Sequence, residues 1–280
     1  MSRLIRYVKC WLRFRIYYYF KIFRPSNFKI KGRLYFDLFS FIDFQKDSEL
    51  TIGENVSLRK TRLYLHDSDC VLGSQIKMMD AVVFIKNSKV DIGGNSKFNK
   101  IDFSLYDHSS FKSGKHTLLD GSKNGVSGFY AEKATVEWGD NVNHYAYSKC
   151  IQSTWRSGSN IFINWGTQIR CESALTMGDN ILISYDCIIF DTNTHSTDHM
   201  DRRKEIQQGY PNSSIQFEED KKKIVKKPII IGNDVWIGMR TIILKGTELG
   251  NQVIVGSGSV VSGLKVNEAS KIAGNPARNL

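Results

Sequence analysis

PIIIGNDVWIGMRTIILKGTELGNQVIVGSGSVV, residues 228–261, decides the fold. Within it Ile231, Ile237, Ile243, Leu249, Val255 and Val261 stand six residues apart without a slip, and a self-similar period outranks any local propensity. Two positions before each of the later members sit Val235, Thr241, Thr247, Val253 and Ser259, all small or β-branched. Glycine follows the aliphatic residue at Gly232, Gly238, Gly250 and Gly256. A period of six fits neither a 3.6-residue helix nor the alternation of a hairpin sheet. It suits a chain that runs a short strand, turns a corner and repeats, with three sides to a coil and each coil stacked on the last. Gly232 and Gly250 then lie one coil of eighteen residues apart, as do Gly238 and Gly256. Each pair is expected to stack, because glycine and Asn-Asp pairs accept corner conformations that bulky side chains resist.

Upstream the pattern loosens. Ile52-Gly53, Leu72-Gly73 and Ile92-Gly93 recur every twenty residues, and Trp138-Gly139 and Met177-Gly178 read as later members with insertions between. Coils are expected from near Leu50, and residues 121–128 read as a loop. The chain divides into a basic amphipathic extension (1–47), irregular coils with insertions (48–190), a protruding loop (191–228), regular hexapeptide coils (229–263) and a C-terminal segment (264–280). The expected class is all-β, a parallel β-helix with a helical N-terminal extension.

Charge is unevenly placed. The net charge is +11 over 280 residues, yet Met1 to Arg33 holds ten basic residues and no acidic one, so the remainder is nearly neutral and no nucleic-acid partner is expected. In the opening stretch Arg3, Arg6, Lys9 and Arg13 form one helical stripe, and Ile5, Val8, Leu12 and Ile16 a second. Such a helix either rests on an anionic inner-membrane face or docks on the end of the main fold and covers its open edge. The stretch lacks the uninterrupted apolar run of a signal peptide or membrane span, so a cytoplasmic location is expected. Cys10, Cys70, Cys150, Cys171 and Cys187 form no metal-type pair and no even set, and read as small buried hydrophobes of a reducing compartment.

Between Phe190 and Pro228 the repeat breaks for a polar stretch that opens Asp191-Thr-Asn-Thr-His195-Ser-Thr-Asp198-His199. Long excursions from a compact fold are commonly functional, and this one carries a dense cluster of titratable groups. Its lysine run, Lys221 to Lys227, suits a solvated loop or an acidic acceptor.

Three motifs carry a family resemblance. They are Asp191-x3-His195-Ser196-x-Asp198 with a following arginine, Ile230-Ile-Gly-Asn-Asp-Val-Trp236-Ile-Gly238, and Gly256-Ser-Gly-Ser-Val-Val261 with Ala273-Gly-Asn-Pro-Ala-Arg278. Together they resemble the hexapeptide-repeat acyltransferases, in particular the galactoside, maltose and bacterial polysaccharide O-acetyltransferases. The resemblance implies a left-handed β-helix and an acetyl-CoA-dependent O-acyltransferase with no metal. It further implies a saccharide acceptor and a homotrimer with active sites between subunits. His195 matches the family's general base, a role that suits an imidazole titrating near neutral pH. Its other ring nitrogen needs a partner, and Asp191, Asp198 or a backbone carbonyl can serve.

By the same resemblance Met239, Ser257, Ser262 and Arg278 lie along acetyl-CoA, Arg278 near its phosphates. His199 and Trp236 are placed on the acceptor side, although Trp236 can instead cap the loop. After Val261 the chain departs from its relatives, reading Ser-Gly-Leu-Lys265, which removes Lys265 from the expected phosphate ligands. Two rival functions share this fold: a metal enzyme resembling the γ-class carbonic anhydrases, and a non-catalytic β-helix for sugar binding or assembly.

Overall fold

Short β-branched and aliphatic runs broken by glycine and Asn-Asp corners give strands of two to five residues. In the computed structural model these wind into a three-sided parallel β-helix. The structure describes residues 3–19, 28–38, 40–43, 49–65, 69–79, 82–87, 89–100, 104–105, 110–120, 130–207 and 224–280. The proposed loop at 121–128 lies outside them, as does the lysine run up to Lys223. Every third strand joins the same face, so that the described strands form three sheets of 11, 12 and 10 strands. Among the described strands, pairing between coils is parallel, and the one antiparallel strand pair closes the C-terminal end, where Ala277–Asn279 folds back on Lys271–Gly274.

The hexapeptide register reads directly in the burial. Ile231, Ile237, Ile243, Leu249, Val255 and Val261 are buried, and so are the companions Val235, Thr241, Thr247, Val253 and Ser259. The hydroxyls in this set turn back to backbone: Thr247 Oγ1 donates to Leu244 O at 2.7 Å and Ser259 Oγ to Gly256 O at 2.6 Å, which satisfies them inside an apolar core.

The corner between the first and second faces explains the glycine period. A Cβ at Gly53 would lie 2.6 Å from the backbone of Gly73 and Ser74, and one at Gly232 would lie 2.6 Å from Asn251 Oδ1. Two residues on, Asn55, Asn95, Asn141, Asn160, Asn180 and Asp234 all adopt positive φ between 55° and 60°, a conformation that Asn and Asp tolerate better than other side chains. Their side chains form a ladder, Asn141 to Asn160 to Asn180 to Asp234, at 3.0 Å per step. Gly114 and Gly158 belong to the same column, preceded by Ser113 and Ser157 rather than by aliphatic residues. What reads as an insertion between Trp138 and Met177 is therefore a whole coil.

Coiling begins at Phe28, not near Leu50. Phe28–Ile30 pairs with Leu50–Ile52, and Leu34–Phe36 with Val56–Leu58. Lys31 stands where later coils carry the corner glycine, donating its N–H to Ile52 O, and that substitution hides the first coil from the period. Helix α1 (Arg3–Tyr19) covers it: Phe14 is buried against Phe36 with ring centroids 5.0 Å apart, and Arg15 donates to Asp37 O and Ser40 O. The four cysteines whose side chains are described are buried and unpaired, with burial pushing the Cys70 thiol up to about 12.

Midway up the stack sits a buried aromatic layer. His144 is fully enclosed, stacked on Trp138 at 5.1 Å and bonded through Nε2 to Ser148 Oγ at 2.8 Å. Burial lowers its pKa from 6.5 to about 3.

The excursion after Phe190 returns to the stack without disturbing it. Ile188–Phe190 pairs with Ile242–Leu244, and Leu175–Met177 with Ile229–Ile231, so the coils before and after it stack directly. Its two stems pair with each other: Thr192 bridges Lys226, Asn193 N–H donates to Val225 O, and Lys227 N–H to Asp191 O. Below them Glu172, with 3% of its side chain exposed, accepts from Arg170 Nε at 2.6 Å and Lys226 Nζ at 3.2 Å. Burial alone raises the pKa of this carboxyl, but the charges and hydrogen bonds of Arg170 and Lys226 outweigh it and hold the pKa below its ordinary value.

Two outcomes follow from these buried groups. The unfolded chain protonates His144 first as the pH falls below 6.5, so this residue withdraws stability through the window from 6.5 down to about 3. Between pH 7 and pH 5 the loss amounts to roughly 2 kcal/mol. Urea unfolding of His144→Asn, which keeps a polar partner for Ser148, is expected to lose correspondingly less over that interval; an identical pH slope contradicts the assignment. Glu172 acts with the opposite sense of partner: its contribution is present at neutral pH and lost as the pH drops through its depressed folded value. Glu172→Ala is therefore expected to lower stability by about 1–3 kcal/mol at neutral pH, with the deficit shrinking in acid.

Candidate functional site

The loop leaves the corner between the third and first faces through Asp191. This carboxylate is buried, and accepts the backbone N–H of Glu172 and of Ser173, each at 2.7 Å. Burial pushes its pKa up, and those two N–H groups counter only part of the shift. Asp191 thus closes the corner of the coil beneath rather than partnering the imidazole.

Thr194 follows with φ of 65°, its N–H held by Thr192 Oγ1 at 3.1 Å. A β-branched residue in the left-handed region is strained, and this one turns the chain immediately before His195. The loop then forms helix α2 (His199–Gln207), for which Asp198 is the N-cap: Oδ1 accepts the N–H of Met200 at 2.7 Å and of Asp201 at 3.2 Å. Asp198, like Asp191, is committed to backbone. His199 opens the helix and is exposed.

One face of α2 holds the histidine segment. Asp201 and Glu205 are four residues apart, hence on the same side of the helix. Asp201 Oδ2 accepts from Ser196 Oγ at 3.1 Å, and Glu205 Oε2 lies 2.9 Å from His195 Nδ1. Arg202 Nη1 adds a bond to Ser196 O at 2.8 Å. The Glu205 side chain is 12% exposed and that of His195 42%, so a sheltered carboxylate orients a ring that solvent and ligands still reach. An ionised carboxylate only accepts. Opposite an ionised Glu205, Nδ1 would carry the hydrogen and, in the neutral ring, Nε2 would bear the lone pair, the state required of a proton acceptor.

Glu205 was not among the sequence candidates for the histidine's partner. The signal for it was present: Asp198 placed ahead of His199-Met200-Asp201 reads as a helix N-terminus, which puts Glu205 one turn beyond Asp201.

The remaining candidates sit on the coils. Met239 and Ser257 are exposed and occupy equivalent positions at the corner between the second and third faces, where Gly258 N–H donates to Met239 O at 2.8 Å. Beside them Gly258 (φ 71°) has open space where a Cβ would point, leaving its backbone approachable. Ser262, exposed, ends the third face at the corner from which the loop departs. Arg278 is exposed on the terminal antiparallel strand, opposite Ala273. Lys265, already set aside from the sequence, is 3.1 Å from Glu248 Oε2. Trp236 faces outward from the second face, 49% exposed between Leu182 and Ile254, with Nε1 3.4 Å from Ser184 Oγ. The structure thus gathers His195, Ser196, Asp198, Asp201, Arg202 and Glu205 at one corner, while Trp236 and Arg278 lie on another face.

Comparison with known proteins bears on the same region. A family model for the bacterial transferase hexapeptide (six repeats) matches residues 228–263. A putative lipopolysaccharide biosynthesis O-acetyl transferase of Escherichia coli is 34% identical over 119 residues, 42% of this chain and 56% of that protein. The galactoside O-acetyltransferase of Escherichia coli is 29% identical over 137 residues, covering 49% and 57%. Among solved structures, a hexapeptide-repeat containing acetyltransferase from Vibrio cholerae, complexed with acetyl coenzyme A, has 29% sequence identity over 45% of this chain and 58% of its own, with a TM-score of 0.36. The chain spans about half the length of the curated relatives it matches. Its regular C-terminal coils match the bacterial transferase hexapeptide model, and the two Escherichia coli proteins that it resembles in sequence carry O-acetyltransferase names.

Proposed function

We propose that this protein transfers an acetyl group from acetyl-CoA to a hydroxyl of a bacterial surface saccharide, with His195 as general base. The observation that carries the proposal is the His195 Nδ1 to Glu205 Oε2 contact of 2.9 Å at the stem of the loop. It supports the tautomer in which Nε2 can accept a proton. Glu205 positions the ring and stabilises the positive charge it acquires; Asp201 and Arg202 hold the adjoining backbone through Ser196.

The residues present fit acetyl-CoA. At the corner of Met239, Ser257 and Gly258 a slender pantetheine arm can run against backbone, because Gly258 offers no side chain and the space beside it is open. The Arg278 guanidinium suits a phosphate through its planar fork of donors. Acetyl-CoA supplies an acetyl group activated as a thioester. A sugar hydroxyl is a weak nucleophile at neutral pH, so His195 Nε2 takes its proton as the oxygen attacks and returns it to the departing sulfur. Such general-base assistance contributes on the order of a hundred- to ten-thousand-fold in rate.

The proposal includes a homotrimer with active sites between subunits. Its support is the outward row Leu182, Tyr185, Trp236 and Met239 around the second face, each more than 40% exposed. A contiguous apolar strip of this kind is characteristic of a surface that another subunit covers. Two sequence relatives bear the names galactoside O-acetyltransferase and putative lipopolysaccharide biosynthesis O-acetyl transferase, which favours a capsule, O-antigen or lipid-linked sugar as acceptor.

The test is mass-spectrometric detection of one added acetyl group on a panel of oligosaccharides incubated with acetyl-CoA. His195→Ala is expected to fold normally and to bind CoA as the parent does, yet to transfer acetyl roughly a hundred- to ten-thousand-fold more slowly. Glu205→Gln is expected to lower kcat with little change in the KM for acetyl-CoA. Near-parental turnover by His195→Ala overturns the assignment.

A further inference from the structure

Helix α1 offers two readings in the sequence, a cap on the coil stack or a helix lying on a membrane, and only one side of it is used for the cap. Phe14 is buried. Trp11 Nε1 donates to Leu38 O at 2.8 Å and Tyr18 hydroxyl to Leu34 O at 3.1 Å. The Arg15 guanidinium lies 4.3 Å over the Phe36 ring. All of these bind the first coil.

A second apolar row points elsewhere. Val8, Leu12 and Ile16, spaced four apart and therefore aligned along the helix, are 45%, 47% and 41% exposed. Tyr19, 66% exposed at the helix end, sits between the two sides, its ring edge-on to Phe36 at 6.3 Å. Lys9, also exposed, flanks the row, and the surrounding sequence through Arg33 has ten basic residues and no acidic one. Among the described residues no helix is long and apolar enough to cross a membrane.

We propose that α1 is two-sided, its Phe14 side capping the coil stack and its Val8–Leu12–Ile16 side lying in the interface of an anionic lipid bilayer. The apolar row enters the acyl boundary while lysine and arginine meet headgroup phosphates, the two components that interfacial helices combine. Charge complementarity selects lipid over a second copy of the chain: pairing this face with itself would bring two dense positive fields together. The cap contacts fix the orientation of the row before it meets lipid, so little ordering of the helix is left for the binding step.

Co-sedimentation of the full chain with vesicles tests this. Binding is expected to phosphatidylcholine vesicles containing phosphatidylglycerol and not to phosphatidylcholine alone. Leu12→Ser combined with Ile16→Ser, both at exposed positions, is expected to reduce binding at least tenfold with thermal unfolding unchanged. Lys9→Gln, at another exposed position, is expected to reduce it roughly fivefold. Absence of binding to the anionic vesicles, equal binding to neutral ones, or full binding by the double variant each overturns the proposal. So does a change in oligomeric state of the double variant at constant vesicle affinity, which would assign the row to a protein interface.

Discussion

The structure depends on backbone pairing between successive coils. Each strand is only two to five residues long, too short to hold a sheet by itself, and gains stability because identical corners repeat directly above one another. In the coils above the first, the corner glycines make this spacing attainable, since a Cβ at Gly53, Gly73, Gly178 or Gly232 would collide with the coil above. The Asn ladder beside them links the αL turns of four successive coils, from Asn141 to Asp234. A rigid pitch of this kind allows the chain to leave the stack at Phe190 and rejoin it at Ile229 with every neighbouring strand still paired.

That rigidity gives the loop its precision. Asp191 fastens one stem to the coil below, and Glu172 with Lys226 fastens the other. Between the stems, strain at Thr194 and the cap at Asp198 set the entry to α2. The two acidic residues nearest His195 in the sequence are thereby spent on backbone N–H groups, and the carboxylate that meets the ring comes from a helical turn further on. A solvent-accessible imidazole is held by a sheltered partner on a scaffold that does not need to move, an arrangement suited to repeated proton transfer.

Much of this was legible in the sequence because the hexapeptide period is written in side-chain volume. Ile231 through Val261 had to be inward, and Trp236 had to be outward, once the period was six. The first coil was hidden because Lys31 replaces the corner glycine, and Gly114 and Gly158 because serine precedes them. Asp191 and Asp198 were recognised as important, but proximity in sequence does not reveal which carboxylate reaches a ring; that depends on helix geometry over Asp201 to Glu205. The N-terminal stripes were visible as periodicity, whereas the division of α1 into a packed side and an exposed side required the position of the first coil.

The central claim is the state of one ring: a neutral His195 with hydrogen on Nδ1 and the lone pair on Nε2, held so by Glu205. Nitrogen-15 NMR of the histidine side chains at mildly alkaline pH, with His195 assigned by comparison with His195→Ala, measures this directly. A protonated Nδ1 and an unprotonated Nε2 are expected for His195, with that preference lost in Glu205→Ala. A ring protonated at Nε2, or a tautomer indifferent to Glu205, would contradict it.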